Sequence, residues 1–226
     1  MGTLTTKIAV LGSNYDDFIH YLTRVLFHMN LRISVIDCSD EQLLEYTLPC
    51  SDKESFFTYR GIDFILDKRN LLLVRELDLS SYDYCFYIVG VNEKFLGVLN
   101  NFDNILMITS IFIENFHKLS SFTKRIEANP PLRAVRIFRD YVNTKINRYY
   151  FQRELDTAQI EIVEEYLLYL SEDIHKYHIE CQYNDQFNFR FIDHNMKKAL
   201  LEVLYYLTGT NEKSIMKAYK IAGRGK

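Results

Sequence analysis

The residues placed to do chemistry begin at a turn, Gly12-Ser13-Asn14-Tyr15-Asp16-Asp17. It follows the strand-like run 7–12 (KIAVLG) and precedes the apolar, helix-length stretch 18–31. A strand that ends in glycine and feeds a helix N-terminus gathers backbone N–H groups around a phosphate. Such a loop also needs further glycines and a lysine. This turn has neither, and the next lysine after Lys7 is Lys53. Asp16 and Asp17 stand instead where the helix begins. Carboxylates there satisfy free N–H groups and oppose the helix dipole, each stabilising the helix by about 0.3–1 kcal/mol. They would also repel a triphosphate, so the turn reads as a helix start that caps itself. A second strand, 32–37 (RISVID), ends in Asp37, a carboxylate at the strand end where ligands collect.

Other groupings carry less. The histidines His20, His28, His117, His175, His178 and His194 form no HExxH pair. His175 and His178, with Glu172, Asp173 and Glu180 close by, read as a polar surface segment without a fixed third ligand. Cys38, Cys50, Cys85 and Cys181 show no metal or redox spacing and read as reduced cysteines of a protein kept inside the cell. No GxSxG elbow and no GxGxxG motif follows a strand. The segment 211–226 carries Lys213, Lys217, Lys220, Arg224 and Lys226 against Glu212, interleaved with Ile215, Met216, Tyr219 and Ile221. It is a basic tail that suits a solvated terminal helix, a partner, or an anionic membrane surface.

These residues need a scaffold, and 226 residues with a net charge of −3 suit one folded domain with a full core. The charge argues against a protein that coats nucleic acid. No signal segment or membrane-length apolar run appears. A cytoplasmic location is expected, with peripheral contact at the inner face of a membrane as the tail's option. Tyr and Phe number 17 and 16, against eight Gly, so the chain is poor in the residue that phosphate loops use most.

Short apolar runs at 7–11, 32–37, 62–66, 71–74, 84–90, 104–109 and 133–138 read as strands. The stretches 15–30, 40–47, 92–100 and 112–127 between them read as helices. Runs without polar alternation suit a parallel sheet covered on both faces. The expectation is a doubly wound α/β domain with a mostly parallel sheet over 1–210, followed by the tail 211–226. Asn129-Pro130-Pro131 closes one helix before the strand at 132–138. The stretches 144–155 and 195–208 read as helices, and 159–170 is ambiguous.

The order of these pieces resembles the ParA/MinD-type P-loop ATPases (the deviant Walker group), and within them the pilus-positioning proteins of the TadZ/CpaE type. Lys7–Gly12 resembles the first strand and Arg32–Asp37 the second. Tyr82–Gly90 resembles the family's YDYxxxDxG strand, with Ile88 where the metal-associated Asp would fall. Asn104–Thr109, Val135–Asn143 and Leu168–Asp173 resemble its later strand, base-side loop and LPxD segment. No residue matches the loop lysines or the Lys-Thr pair, and Asp37 is the carboxylate left at a matching position.

The resemblance with these losses implies a protein that is not an enzyme and takes no cofactor. It would be a scaffold or positioning subunit working by protein contact in a pilus or secretion assembly, as a homodimer or paired with a related ATPase, without specific nucleic acid. The alternative is a partition or positioning ATPase that binds ATP with Mg²⁺ through a substituted phosphate loop. Asp37 would then hold the metal, with a base pocket near Arg139–Asn143.

Overall fold

The computed structural model describes residues 5–48, 55–184 and 188–224. Cys50, Lys53 and Lys226 lie outside the described residues, and nothing is described of the Cys181 and His178 side chains.

The chain runs β1 (Thr6–Gly12), α1 (Asp16–Phe27), β2 (Ile33–Asp37), α2 (Leu44–Thr47), β3 (Phe56–Tyr59), β4 (Ile62–Ile65), α3 (Leu71–Arg75) and β5 (Tyr84–Gly90). A 3-10 segment, Glu93–Asn101, leads into β6 (Asn104–Ser110), α4 (Ile113–Thr123), β7 (Leu132–Tyr141), α5 (Arg148–Leu155) and β8 (Ile160–Tyr169). α6 (Glu172–Asn184), α7 (His194–Thr208) and α8 (Glu212–Ala222) complete it. The eight strands form one sheet in the order β3-β4-β2-β5-β1-β6-β7-β8. Every pairing is parallel except the β3–β4 hairpin.

The central strands lack polar alternation because both faces are covered. In β1, Ile8 and Val10 enter one apolar layer and Ala9 and Leu11 the other. The first layer is closed by α1, α7 and α8. Phe18, Ile19, Leu22, Val25 and Leu26 recur on α1 at helical spacing and are fully buried. Each such side chain contributes roughly 1.5–3 kcal/mol of apolar burial. The second layer lies under α3, the 3-10 segment, α4 and α5, with Phe95, Leu99, Phe116, Leu119 and Phe151 at its centre.

Two expected elements change type or role. The apolar run at 71–74 is helix, not strand, because the Asn70 side chain accepts from the Leu72 N–H (3.1 Å) and starts a short turn of α3. The basic tail is not a detached amphipathic helix. Ile215, Ala218, Tyr219 and Ala222 of α8 are buried in the layer shared with α1 and α7, so the apolar face a membrane would take is already covered. Lys213, Lys217, Lys220 and Arg224 remain exposed on its outer side. No helix among the described residues is long and apolar enough to cross a membrane.

Candidate functional site

Strands β1, β2, β5, β6 and β7 deliver Gly12, Asp37, Gly90, Ser110 and Tyr141 to one edge, the carboxyl edge, where open parallel sheets bind ligands. Gly12 leaves β1 at φ 101°, and a Cβ there would stand 2.0 Å from the Ile108 carbonyl oxygen. Only glycine fits. The Ser13 N–H then donates to that same oxygen at 2.9 Å. Asn14 is left-handed (φ 57°), and its amide donates to the Asp140 carboxylate at 3.3 Å. Asp140 lies 3.0 Å from Nε2 of His175 on α6.

The helix start differs from the self-capping read in the sequence. Tyr15, at the N-cap, makes no side-chain cap bond. Asp17 Oδ1 accepts from the Phe18 N–H at 2.6 Å, and its carboxylate is the two-pronged partner of Arg139 on β7. Arg139 Nη2 donates to Asp17 Oδ2 at 2.9 Å, and Nη1 donates to Asp17 Oδ1 and to the Asn14 carbonyl (3.2 Å). Both residues are buried. Burial opposes the guanidinium's charge, but the carboxylate of Asp17, with Asp16 and Asp140 behind it, outweighs burial and raises the Arg139 pKa. Asp17 is therefore the counter-ion of a buried cation and not a solvated cap. The loop does have a positive group, supplied by β7.

Asp37, the expected nucleotide or metal contact, is fully buried at the end of β2. Its Oδ1 accepts from the Ser39 N–H (3.0 Å), the Ser39 hydroxyl (2.6 Å) and Gln42 Nε2 (3.2 Å). Its Oδ2 has no hydrogen-bond partner among the described residues. Burial raises the Asp37 pKa to about 6, against the pull of the Ser39 bonds. Ile88 is in register with Asp37 across the β2–β5 pairing and is fully buried in the apolar layer with Val10 and Val35.

The open space at this edge is a crevice of about 180 Å³ lined by Gly12, Ser13, Tyr15, Glu41, Asn92 and Lys118, among others. The Tyr15 hydroxyl and Ser13 Oγ are buried there without hydrogen-bond partners among the described residues. Burial, then the Asp37 carboxylate, pushes the Tyr15 phenol far above its ordinary range. Lys118 of α4 reaches the rim, 2.9 Å from Glu114 and 3.6 Å from Glu41. Asn92 is fixed by donating to the Cys38 (2.8 Å) and Arg69 (3.1 Å) carbonyls, and Asn115 by donating to Ser110 Oγ (3.0 Å).

Thus the structure brings Gly12, Ser13 and Tyr15 to one crevice and sets Asp16, Asp17 and Asp37 behind it. It places Ile88 in the core, and Lys213, Lys217, Lys220 and Arg224 on α8. Sequence reading missed Lys118, Asn92 and Asn115, and missed the role of Arg139. One signal was present. Arg136 and Arg139 fall within the run 134–139 among apolar residues, and buried charges require partners.

No protein-family model matches the sequence, and no curated protein matches it significantly. Solved structures do match in fold. The chain is similar to MinD in a MinC:MinD cell division protein complex from Aquifex aeolicus (TM-score 0.61, 13% identity, 92% of this chain and 97% of that one). It is also similar to the septum site-determining protein MinD with Mg-ADP from Pyrococcus horikoshii (0.56, 12%, 88% and 96%). A third is a ParA family ATPase from Chlorobium tepidum (0.54, 11%, 97% and 98%). One of these neighbours is named an ATPase and another holds Mg-ADP, and they correct the expectation of a protein that is not an enzyme and takes no cofactor. The eight-stranded, mostly parallel sheet flanked by helices is the fold of the ParA/MinD-type P-loop ATPases.

Proposed function

We propose that the protein is a nucleotide-binding partition or positioning ATPase with a substituted phosphate loop, acting on a protein partner. What carries this is the crevice at the carboxyl edge, at the end of β1, in a sheet shared with ATPases over nearly its whole length. Its 180 Å³ suits the phosphate end of a nucleotide, with the nucleoside across the open edge toward 139–143. Ser13 Oγ and the Tyr15 hydroxyl are unsatisfied donors there, and Lys118, Asn92 and Asn115 supply the polar rim.

Asp40 and Glu41 on the same rim oppose a bare triphosphate, so binding requires Mg²⁺, which neutralises phosphate charge. Arg139 holds the loop through Asp17 and the Asn14 carbonyl instead of meeting the phosphate directly. A pilus- or secretion-linked role is supported by the sequence resemblance alone.

Calorimetry with ATP, ADP and GTP, each with Mg²⁺ and with EDTA, tests binding, and phosphate release tests turnover. Mg²⁺-dependent binding that weakens in Lys118→Ala is expected. No heat with any nucleotide would sink the proposal.

A further inference from the structure

A second cavity, of about 590 Å³, opens at the opposite end of the sheet, beside the starts of β1, β5 and β6. Its size lies within the range of small-molecule sites. One wall is the crossover from β4 to β5, whose helical part is the five residues of α3, none of them buried, and the other is the 3-10 segment. Leu71, Val74, Leu77, Val98 and Phe102 give it apolar walls.

Those walls also carry Tyr87, Lys7 and Arg75. Tyr87 is 4% exposed, with its ring against Phe102 (5.0 Å, edge-on), and no described residue hydrogen-bonds its hydroxyl. Ala9 is in register with Tyr87, so Lys7, two residues before Ala9, rises from the same sheet face. Arg75 of α3 stands on the other wall. Neither cation is in an ion pair among the described residues. The acid at the mouth, Asp103, is held by the Lys7 backbone N–H (Oδ2, 2.7 Å). An apolar slot with two unpaired cations and a free buried hydroxyl complements an amphiphilic anion.

We propose that this cavity binds a medium-length alkyl carboxylate. The chain lies along Leu71, Val74, Leu77 and Val98, and the carboxylate sits between Lys7, Arg75 and the Tyr87 hydroxyl. The site is separate from the carboxyl-edge crevice and does not depend on nucleotide binding.

Calorimetry of the full chain with dodecanoate, dodecylamine and dodecanol tests it. Dodecanoate binds one to one and more tightly than the other two. The Lys7→Gln/Arg75→Gln double variant weakens dodecanoate by roughly tenfold or more, and Tyr87→Phe by roughly fivefold, as loss of charged and neutral hydrogen bonds implies. Dodecanol is unaffected by the charge change. Val98→Trp, which fills the slot, removes binding. Lys7 and Arg75 are exposed, so the double variant keeps its fold and remains informative if Val98→Trp does not. Absence of dodecanoate binding, equal affinity for dodecylamine, or an unchanged double variant would overturn the assignment.

Discussion

The two ends of the sheet treat charge in opposite ways. Behind the carboxyl-edge crevice, charged groups are buried and held by named partners: Arg139 by Asp17, and Asp37 through one oxygen by Ser39 and Gln42. At the amino end, Lys7 and Arg75 stand exposed and unpaired around an apolar space. A buried charge that loses its partner is costly, whereas a solvated one loses little. The buried groups behind the crevice are therefore committed to the fold, whereas the amino-end charges are left for something else.

The sharpest break removes Asp17. Asp17→Ala leaves Arg139 buried and unpaired and should cost about 3–5 kcal/mol, whereas Asp17→Leu with Arg139→Met should recover most of it. Urea unfolding of the two variants measures the difference, and equal losses would show that the pair is not what holds the loop. Next is Gly12→Ala. The left-handed backbone alone costs about 1–3 kcal/mol, and the Ile108 carbonyl must also move. The melting temperature reports it.

Asp37 gives a pH test of the same edge. Its folded pKa, about 6, lies above its ordinary 3.8, so the folded state holds the proton more tightly. That stability is fully present below pH 3.8 and lost as pH rises through about 6, by up to roughly 3 kcal/mol. Asp37→Asn should flatten this part of a stability–pH profile, and a profile of unchanged slope would refute the burial effect. The smallest effect belongs to the amino end. Lys7→Gln/Arg75→Gln should change stability by less than about 0.5 kcal/mol, because both side chains are already in water. A larger loss would erase the contrast between the ends.

Much of this fold was legible in the sequence because hydrophobic period and strand spacing are local properties. The runs at 7–11, 32–37, 84–90 and 104–109 carry their own evidence of double-sided burial. The run at 71–74 does not, since four apolar residues fit either period and a single Asn70 cap decided for helix. β3 was missed because Phe56–Tyr59 is a partly exposed hairpin arm whose partner, Ile62–Ile65, gives it order. At the candidate site, Gly12 was visible as punctuation. Asp17 was not, because its partner Arg139 lies far along the chain and only the β1-β6-β7 order brings them together. The packing of α8 was not legible for a similar reason, since an amphipathic pattern does not say which surface takes its apolar face.

That docking of α8 on α1 has a further result during synthesis. The apolar stripe of α1 is made well before α8, which is part of its cover. The emerging chain must therefore carry this surface uncovered while the residues between α1 and α8 are made, a state prone to aggregation and suited to chaperone binding.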